Sequence, residues 1–210
     1  MENPESKDRL IIIFYRNSVK GKVKTRLAAR LGSDTALEIH SRLSALTKNV
    51  AAPAAADKVV FYDHQVLQND LWEDNIFLKC QQSGEELGSR MFESFHWAFR
   101  QGYKKVVIIG TDCPGITPKL LESALQHLDQ YPVVIGPAVD GGYYLLGLRQ
   151  MLPELFTGIA WGTDQVFEHT VRKLKMLGHL YHSLEVLRDI DRPEDLDYLR
   201  KSFPELMDGL

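Results

Sequence analysis

Residues 106–115 read Val106-Val107-Ile108-Ile109-Gly110-Thr111-Asp112-Cys113-Pro114-Gly115. Four consecutive β-branched residues leave no polar face, which is the pattern of a central strand covered on both sides rather than of a half-exposed one. The run ends in a carboxylate and a Cys-Pro-Gly turn. Two residues further on, Thr117-Pro118 supplies an N-cap and first-turn pair for a helix over 118–130.

The same alternation continues on either side of this stretch. Short, β-branched-rich runs bounded by turn residues predict strands at 10–15, 58–62 and 133–137, with less sharply patterned strands at 76–79 and 143–148. Helical periodicity predicts a helix opening at Ser33 with Ala36, Leu37, Ile39, Leu43 and Leu46 on one face. Further helices are expected over 87–100, 163–177 and 193–203. Strands alternating with helices specify an α/β fold, a mostly parallel central sheet with helices on both faces. In such sheets ligands sit outside the carboxyl ends of the strands.

With 210 residues the chain has the length of one domain, and neither a low-complexity linker nor an internal repeat divides it. One domain is expected over 1–210, with 1–9 as a flexible tail. The composition, 44% hydrophobic and 25% charged, is that of a globular protein. A net charge of -3 speaks against a generic nucleic-acid partner. The run Leu10–Tyr15 is too short to span a bilayer, and residues 1–9 lack the apolar segment of a secretory signal. Cys80 and Cys113 form no CxxC spacing, which disfavours a disulfide framework or structural zinc and fits a reducing cytoplasm.

The chemistry collects after the strands. Following the first strand comes Arg16-Asn17-Ser18-Val19-Lys20-Gly21-Lys22-Val23-Lys24-Thr25-Arg26-Leu27. A glycine turn lets backbone N–H groups approach an anion, and flanking cations neutralise phosphate charge. Gly21, Lys22, Lys24 and Arg26 are therefore candidate phosphate-binding residues, against the alternative of a solvated basic loop. The loop is neither a Walker loop nor a GxGxxG turn. Asp112, at the end of the central strand, is placed to hold Mg²⁺ or Mn²⁺ against a diphosphate, the alternative being a turn cap. Cys113 reads as a packing residue, since no activating partner is evident.

After the strand at 133–137 comes Ala138-Val139-Asp140-Gly141-Gly142-Tyr143. Gly141 and Gly142 permit close approach of a substrate, and Asp140 is a candidate catalytic carboxylate, with a tight Asp-Gly hairpin as the competing reading. Near the carboxyl end, Asp189-Ile190-Asp191-Arg192-Pro193 presents alternating carboxylates. One can face a metal while the other caps the next helix.

Taken together, Gly21–Leu27, Gly84–Met91, Gly110–Pro114, Gly136–Gly147, Trp161–Thr163 and Asp189–Leu196 resemble an uncharacterised bacterial family over nearly the whole chain. That family is called glycosyltransferase-A-like, or nucleotide-diphospho-sugar transferase, and some members are described as arsenosugar-biosynthesis or radical-SAM/selenodomain-associated transferases. The resemblance implies a Rossmann-like nucleotide-diphospho-sugar transferase sandwich. It implies a metal at Asp112, with Asp191 as second ligand, and nucleotide phosphates on Gly21, Lys22, Lys24 and Arg26. The partners implied are a nucleotide-sugar, or a nucleoside triphosphate, and a small-molecule acceptor. Departures are visible. Ser18 and Lys20 stand where many relatives carry prolines, and Glu85-Glu86-Leu87-Gly88 stands for Gly-Asp-Leu-Gly. Gly162 replaces a common serine, and Thr111-Asp112-Cys113 lacks a full DxD.

Three functions follow as expectations. The first is metal-dependent transfer of a sugar from a nucleotide-activated donor, with Asp140 as general base. The second is nucleotidyl transfer from a nucleoside triphosphate to a phosphorylated small molecule. The third is nucleotide binding without turnover.

Overall fold

The computed structural model describes residues 7–210. Its elements are strands β1 (Arg9–Tyr15), β2 (Asp57–Tyr62), β3 (Leu78–Gln81), β4 (Lys105–Ile109), β5 (Val133–Pro137), β6 (Tyr143–Leu148) and β7 (Tyr181–Ser183). The helices are α1 (Thr25–Leu31), α2 (Ser33–Ala51), α3 (Leu87–Arg100), α4 (Pro118–His127), α5 (Val166–Met176) and α6 (Leu196–Ser202). One seven-stranded sheet runs in the order β3-β2-β1-β4-β6-β5-β7. β6 is antiparallel to both its neighbours, and every other pairing is parallel.

The β-branched run at 106–109 explains the layers. Val107 and Ile109 point to one face, where they meet Leu121, Ala124 and Leu125 of α4. Val106 and Ile108 point to the other, against Met91, Phe95 and Ala98 of α3. All four side chains are buried, and burial of each aliphatic side chain contributes about 1.5–3 kcal/mol. A third apolar cluster joins Leu27 of α1, Ala36, Ile39 and Leu43 of α2, and Leu196 and Leu199 of α6. Ile190 lies in that cluster, which anchors the segment carrying Asp189 and Asp191 beside the start of α1.

The capping expected at α4 is present, with Thr117 Oγ1 accepting from Leu120 N at 3.1 Å. Other boundaries differ for physical reasons. Gly32, at φ 82, separates α1 from α2, because a left-handed residue interrupts the helical ladder. Residues 163–165 stay in a loop, and the carboxy-terminal helix opens as a 3-10 turn over Pro193–Asp195. β3 is shifted two residues from the expected strand, and β7 has no counterpart among the expected strands. Of the expected tail, residues 1–6 lie outside the described residues. Arg9 opens β1, and the Asp8 carbonyl accepts from the backbone N–H groups of Lys104 and Lys105. Among the described residues no helix is long and apolar enough to cross a membrane.

Candidate active site

A cavity of ≈ 690 Å³ opens at the carboxyl ends of the parallel strands. Tyr15 and Arg16 enter it from the end of β1, Asp63 from beyond β2, Gln82 from beyond β3 and Asp112 from beyond β4. The two faces of the sheet each contribute one helix start. Lys24, Thr25 and Arg26 come from α1 on one side, and Leu87, Arg90 and Met91 come from α3 on the other.

Lys24 is the least expected of these residues in its environment. It is 5% exposed and sits at φ 48, a left-handed conformation that non-glycine residues seldom adopt. Its ammonium lies 2.7 Å from Asp112 Oδ1 and also donates to the Ile190 carbonyl. Burial alone would raise the Asp112 carboxyl, but the adjacent Lys24 ammonium outweighs it and holds the group below the usual aspartate range. Two residues on, Arg26 Nη1 donates to Asp191 Oδ2 at 2.6 Å in a half-exposed pair. The basic segment and the acidic segments are thus joined cation to carboxylate within one cavity.

Asp189 has no such partner. Its Oδ1 is buried without a hydrogen bond, and its carboxyl is pushed up to about 7 by burial and by the nearby charges of Asp112 and Asp140. The alternation read in the sequence is present, since Asp189 turns inward beside the Cys113 thiol while Asp191 faces Arg26. Neither caps the following turn. That role falls to Asp195, whose Oδ2 accepts from Arg192 N at 2.9 Å and Asp191 N at 3.1 Å. Cys113 is buried, and burial followed by the Asp189 charge drives its thiol up, so it stays protonated as the sequence reading requires.

Among the described residues no group of three or more His, Cys, Asp or Glu side chains is arranged to hold a metal ion. The donor set nevertheless suits a hard divalent cation that keeps most of its ligands from water and substrate. Asp112 and Asp189 offer oxygen donors, one of them unsatisfied.

Asp140 lines the cavity from the β5–β6 hairpin, and its Oδ1 accepts from Gly142 N at 3.0 Å. Asp140 therefore closes the turn and borders the cavity at once. The glycines beside it serve packing. A side chain on Gly141, at φ +88, would overlap the Asp164 backbone, and neither Gly141 nor Gly142 lines the cavity. Gly21 and Lys22 also lie outside it, in a surface turn closed by Lys22 N donating to the Val19 carbonyl at 2.9 Å. The part of the loop that lines the cavity is its carboxyl end, Val23–Arg26.

Sequence reasoning singles out neither Arg16, His40 nor Arg90, and it leaves open which of Asp189 and Asp191 turns inward. Arg16 had a signal, since it follows β1 directly. His40 had none, because it sits among helical core positions. It is buried, and its Nε2 lies 2.9 Å from the Arg16 carbonyl. Burial first of all lowers its pKa, which keeps it neutral.

The model of the family described as "Uncharacterized protein conserved in bacteria (DUF2064)" matches residues 46–163, more than half of the chain. The chain belongs to this family. A candidate nucleotide-diphospho-sugar transferase from Desulfovibrio desulfuricans G20 is 31% identical, covers 93% of this chain and 88% of its own, and superposes with a TM-score of 0.84. The inositol-1-phosphate CTP transferase from T. maritima, 16% identical over 97% of this chain and 98% of its own, gives a TM-score of 0.58. Rv0371C from Mycobacterium tuberculosis H37Rv in complex with manganese, 12% identical over 94% and 100% of the two chains, gives 0.52. The DUF2064 chain thus has the nucleotide-diphospho-sugar transferase and cytidylyltransferase fold. No curated protein matches its sequence.

Proposed function

We propose that this DUF2064 protein is a metal-dependent transferase that takes a nucleotide-activated sugar as donor and a small molecule as acceptor. The observation that carries this reading is the pairing inside one cavity of Lys24 with Asp112 and of Arg26 with Asp191, next to the unsatisfied carboxyl of Asp189. Such a site has cations to meet a diphosphate and carboxylates to meet the cation that accompanies it. Arg26, exposed on a planar fork at the start of α1, is the group best suited to donate to phosphate oxygens. Asp112 and Asp189 would hold Mg²⁺ or Mn²⁺, with Asp191 available once Arg26 turns to phosphate. When bound, the ion would supply charge neutralisation for a departing diphosphate. Asp140, exposed at the mouth, would accept the proton of the attacking acceptor hydroxyl.

Nucleotidyl transfer is the second reading, and one feature of the site favours it. Thr111-Asp112-Cys113 provides a single carboxylate where sugar transferases with a DxD provide two, while three cations, Arg16, Lys24 and Arg26, meet at the end of β1. The named activity of the T. maritima neighbour is of this kind.

A thermal-shift panel separates the readings. Ligands that bind the folded state raise its melting temperature by mass action. Nucleoside diphospho-sugars and nucleoside triphosphates, each with and without Mn²⁺ or Mg²⁺, should include at least one that stabilises the protein only in combination with the metal. A diphospho-sugar as the strongest ligand supports sugar transfer, and a triphosphate supports nucleotidyl transfer. No stabilisation by any nucleotide would overturn both.

A further inference from the structure

Arg90 enters the same cavity from the first turn of α3, on the sheet face opposite α1. It makes no ion pair among the described residues. Its Nε donates to the Gly84 carbonyl at 3.1 Å, and its Nη1 lies 3.4 Å from Gln82 Oε1. Both partners are neutral acceptors, so the guanidinium is oriented without its charge being met. This differs from the other cations of the cavity. Lys24 is paired with Asp112, Arg26 with Asp191 and, at 3.7 Å, Arg16 with Asp63. Glu85 also lines the cavity and Glu86, the N-cap of α3, lies one turn before Arg90, yet neither is paired with it.

The turn that holds Arg90 is built for close approach. Gly84 sits at φ +119, and a Cβ there would come 2.6 Å from Ser89 Oγ and 2.9 Å from Arg90 N. Only glycine fits, and its carbonyl is thereby presented to the Arg90 Nε. Two residues before Arg90, a Cβ on Gly88 would overlap the Trp161 indole, so Trp161 is seated directly on the backbone that carries Arg90. A half-buried guanidinium fixed from two sides, with donors left over, is the arrangement that recognises a planar or tetrahedral oxyanion.

We propose that Arg90 forms a second anion subsite, distinct from the Lys24–Arg26 segment, and that it takes a phosphate or carboxylate group of the second substrate. The assignment of that anion to the second substrate rests on the transferase reading, whereas the subsite itself does not. It implies that the molecule meeting the nucleotide in this cavity is acidic, a sugar phosphate or a sugar or acceptor carrying a carboxylate, rather than a neutral one.

Arginine Nε–Hε correlation spectra of ¹⁵N-labelled protein test this site by site. Arg90 is assigned by loss of its signal in Arg90→Lys, and Arg26 by loss in Arg26→Lys. Methyl phosphate and sodium acetate are titrated separately against sodium chloride at matched ionic strength. The Arg90 signal should shift saturably with at least one of them. A response to methyl phosphate alone specifies a phosphorylated second substrate, and a response to acetate specifies a carboxylate-bearing one. In Arg90→Gln, whose fold is checked by circular dichroism, the affinity read from neighbouring amide signals should fall about tenfold or more, the scale of one charge-assisted hydrogen bond. An Arg90 signal that moves no more with either anion than with chloride overturns the proposal. The Arg26 response to UDP, CDP or GDP with Mg²⁺ is read in the same spectra, so failure of the transferase reading is seen separately from failure of the subsite.

Discussion

The Lys24 ammonium is buried between Asp112 Oδ1, at 2.7 Å, and the Ile190 carbonyl, so one lysine ties the start of α1 to the end of β4 and to the Asp189–Asp191 segment. Three segments distant in sequence are held in register by this contact. Lys24→Met keeps the apolar stem but leaves Asp112 beside Asp189 without the ammonium it pairs with. Breaking a buried pair costs about 3–5 kcal/mol, and because the Asp112 side chain is 44% exposed the expected loss is about 1–2 kcal/mol at neutral pH. Urea unfolding measures it. Asp112, with its folded pKa lowered, contributes stability that is present above the unfolded pKa and lost as pH falls through the folded one. The gap between wild type and variant should therefore close in acid.

Asp189 has the opposite sign. Its folded pKa of about 7 lies above the unfolded value, so its contribution is complete below the unfolded pKa and is lost as pH rises through about 7. Asp189→Asn should raise the melting temperature relative to wild type, and by more at pH 8 than at pH 5. It should also remove any stabilisation of the wild type by Mg²⁺ plus nucleotide at pH 8. Equal differences at the two pH values would show that Asp189 is not held in the folded protein as an unpaired acid.

Arg26 and Lys20 belong to one basic stretch but to different environments. Lys20 pairs with Asp34 on the open surface, where such pairs contribute about 0–1 kcal/mol. Lys20→Ala should leave nucleotide affinity unchanged. Arg26→Ala should weaken it about tenfold or more, the scale of one charge-assisted hydrogen bond, with the fold intact. Titration calorimetry compares them, and equal small effects would reduce the stretch to a solvated basic patch.

Asp140→Asn separates the turn role of this residue from the proposed catalytic one. Asparagine can accept the same hydrogen bond from Gly142 N, so stability should change by no more than about 0.5 kcal/mol. If the carboxylate takes a proton during transfer, turnover falls while nucleotide affinity stays nearly constant. Full activity in the variant would end the catalytic assignment.

Much of this arrangement was legible in the sequence, and the exceptions have physical causes. Val106–Ile109 declared a strand buried on both faces because no polar residue interrupts it, and Thr117-Pro118 declared the helix after it. The position of the site followed from those two. β7 went unread because Tyr181-His182-Ser183 is short and half-exposed at a sheet edge, where pairing rather than hydrophobic pattern makes the strand. Which of Asp189 and Asp191 carries the buried, unpartnered oxygen needed coordinates, since alternation says only that the two point apart. The burial of Lys24 went unread because burial of an ammonium cannot be inferred from neighbours in sequence. Its partners, Asp112 and Ile190, are brought to it only by the fold. Arg90 lies in the Gly84–Met91 stretch that carries the resemblance, but nothing there singles it out, because an arginine in the first turn of an amphipathic helix ordinarily faces solvent.

The central claim is that Asp112 and Asp189 receive a divalent cation together with a nucleotide diphosphate. Electron paramagnetic resonance of Mn²⁺ tests it directly, because the free aqueous ion gives a strong six-line signal that diminishes on binding. Titrating wild-type protein into Mn²⁺ with UDP, CDP or GDP present should deplete that signal beyond what each nucleotide does alone, and Asp112→Asn with Asp189→Asn should abolish the extra depletion while the fold persists by circular dichroism. Undiminished depletion in the double variant would contradict the account.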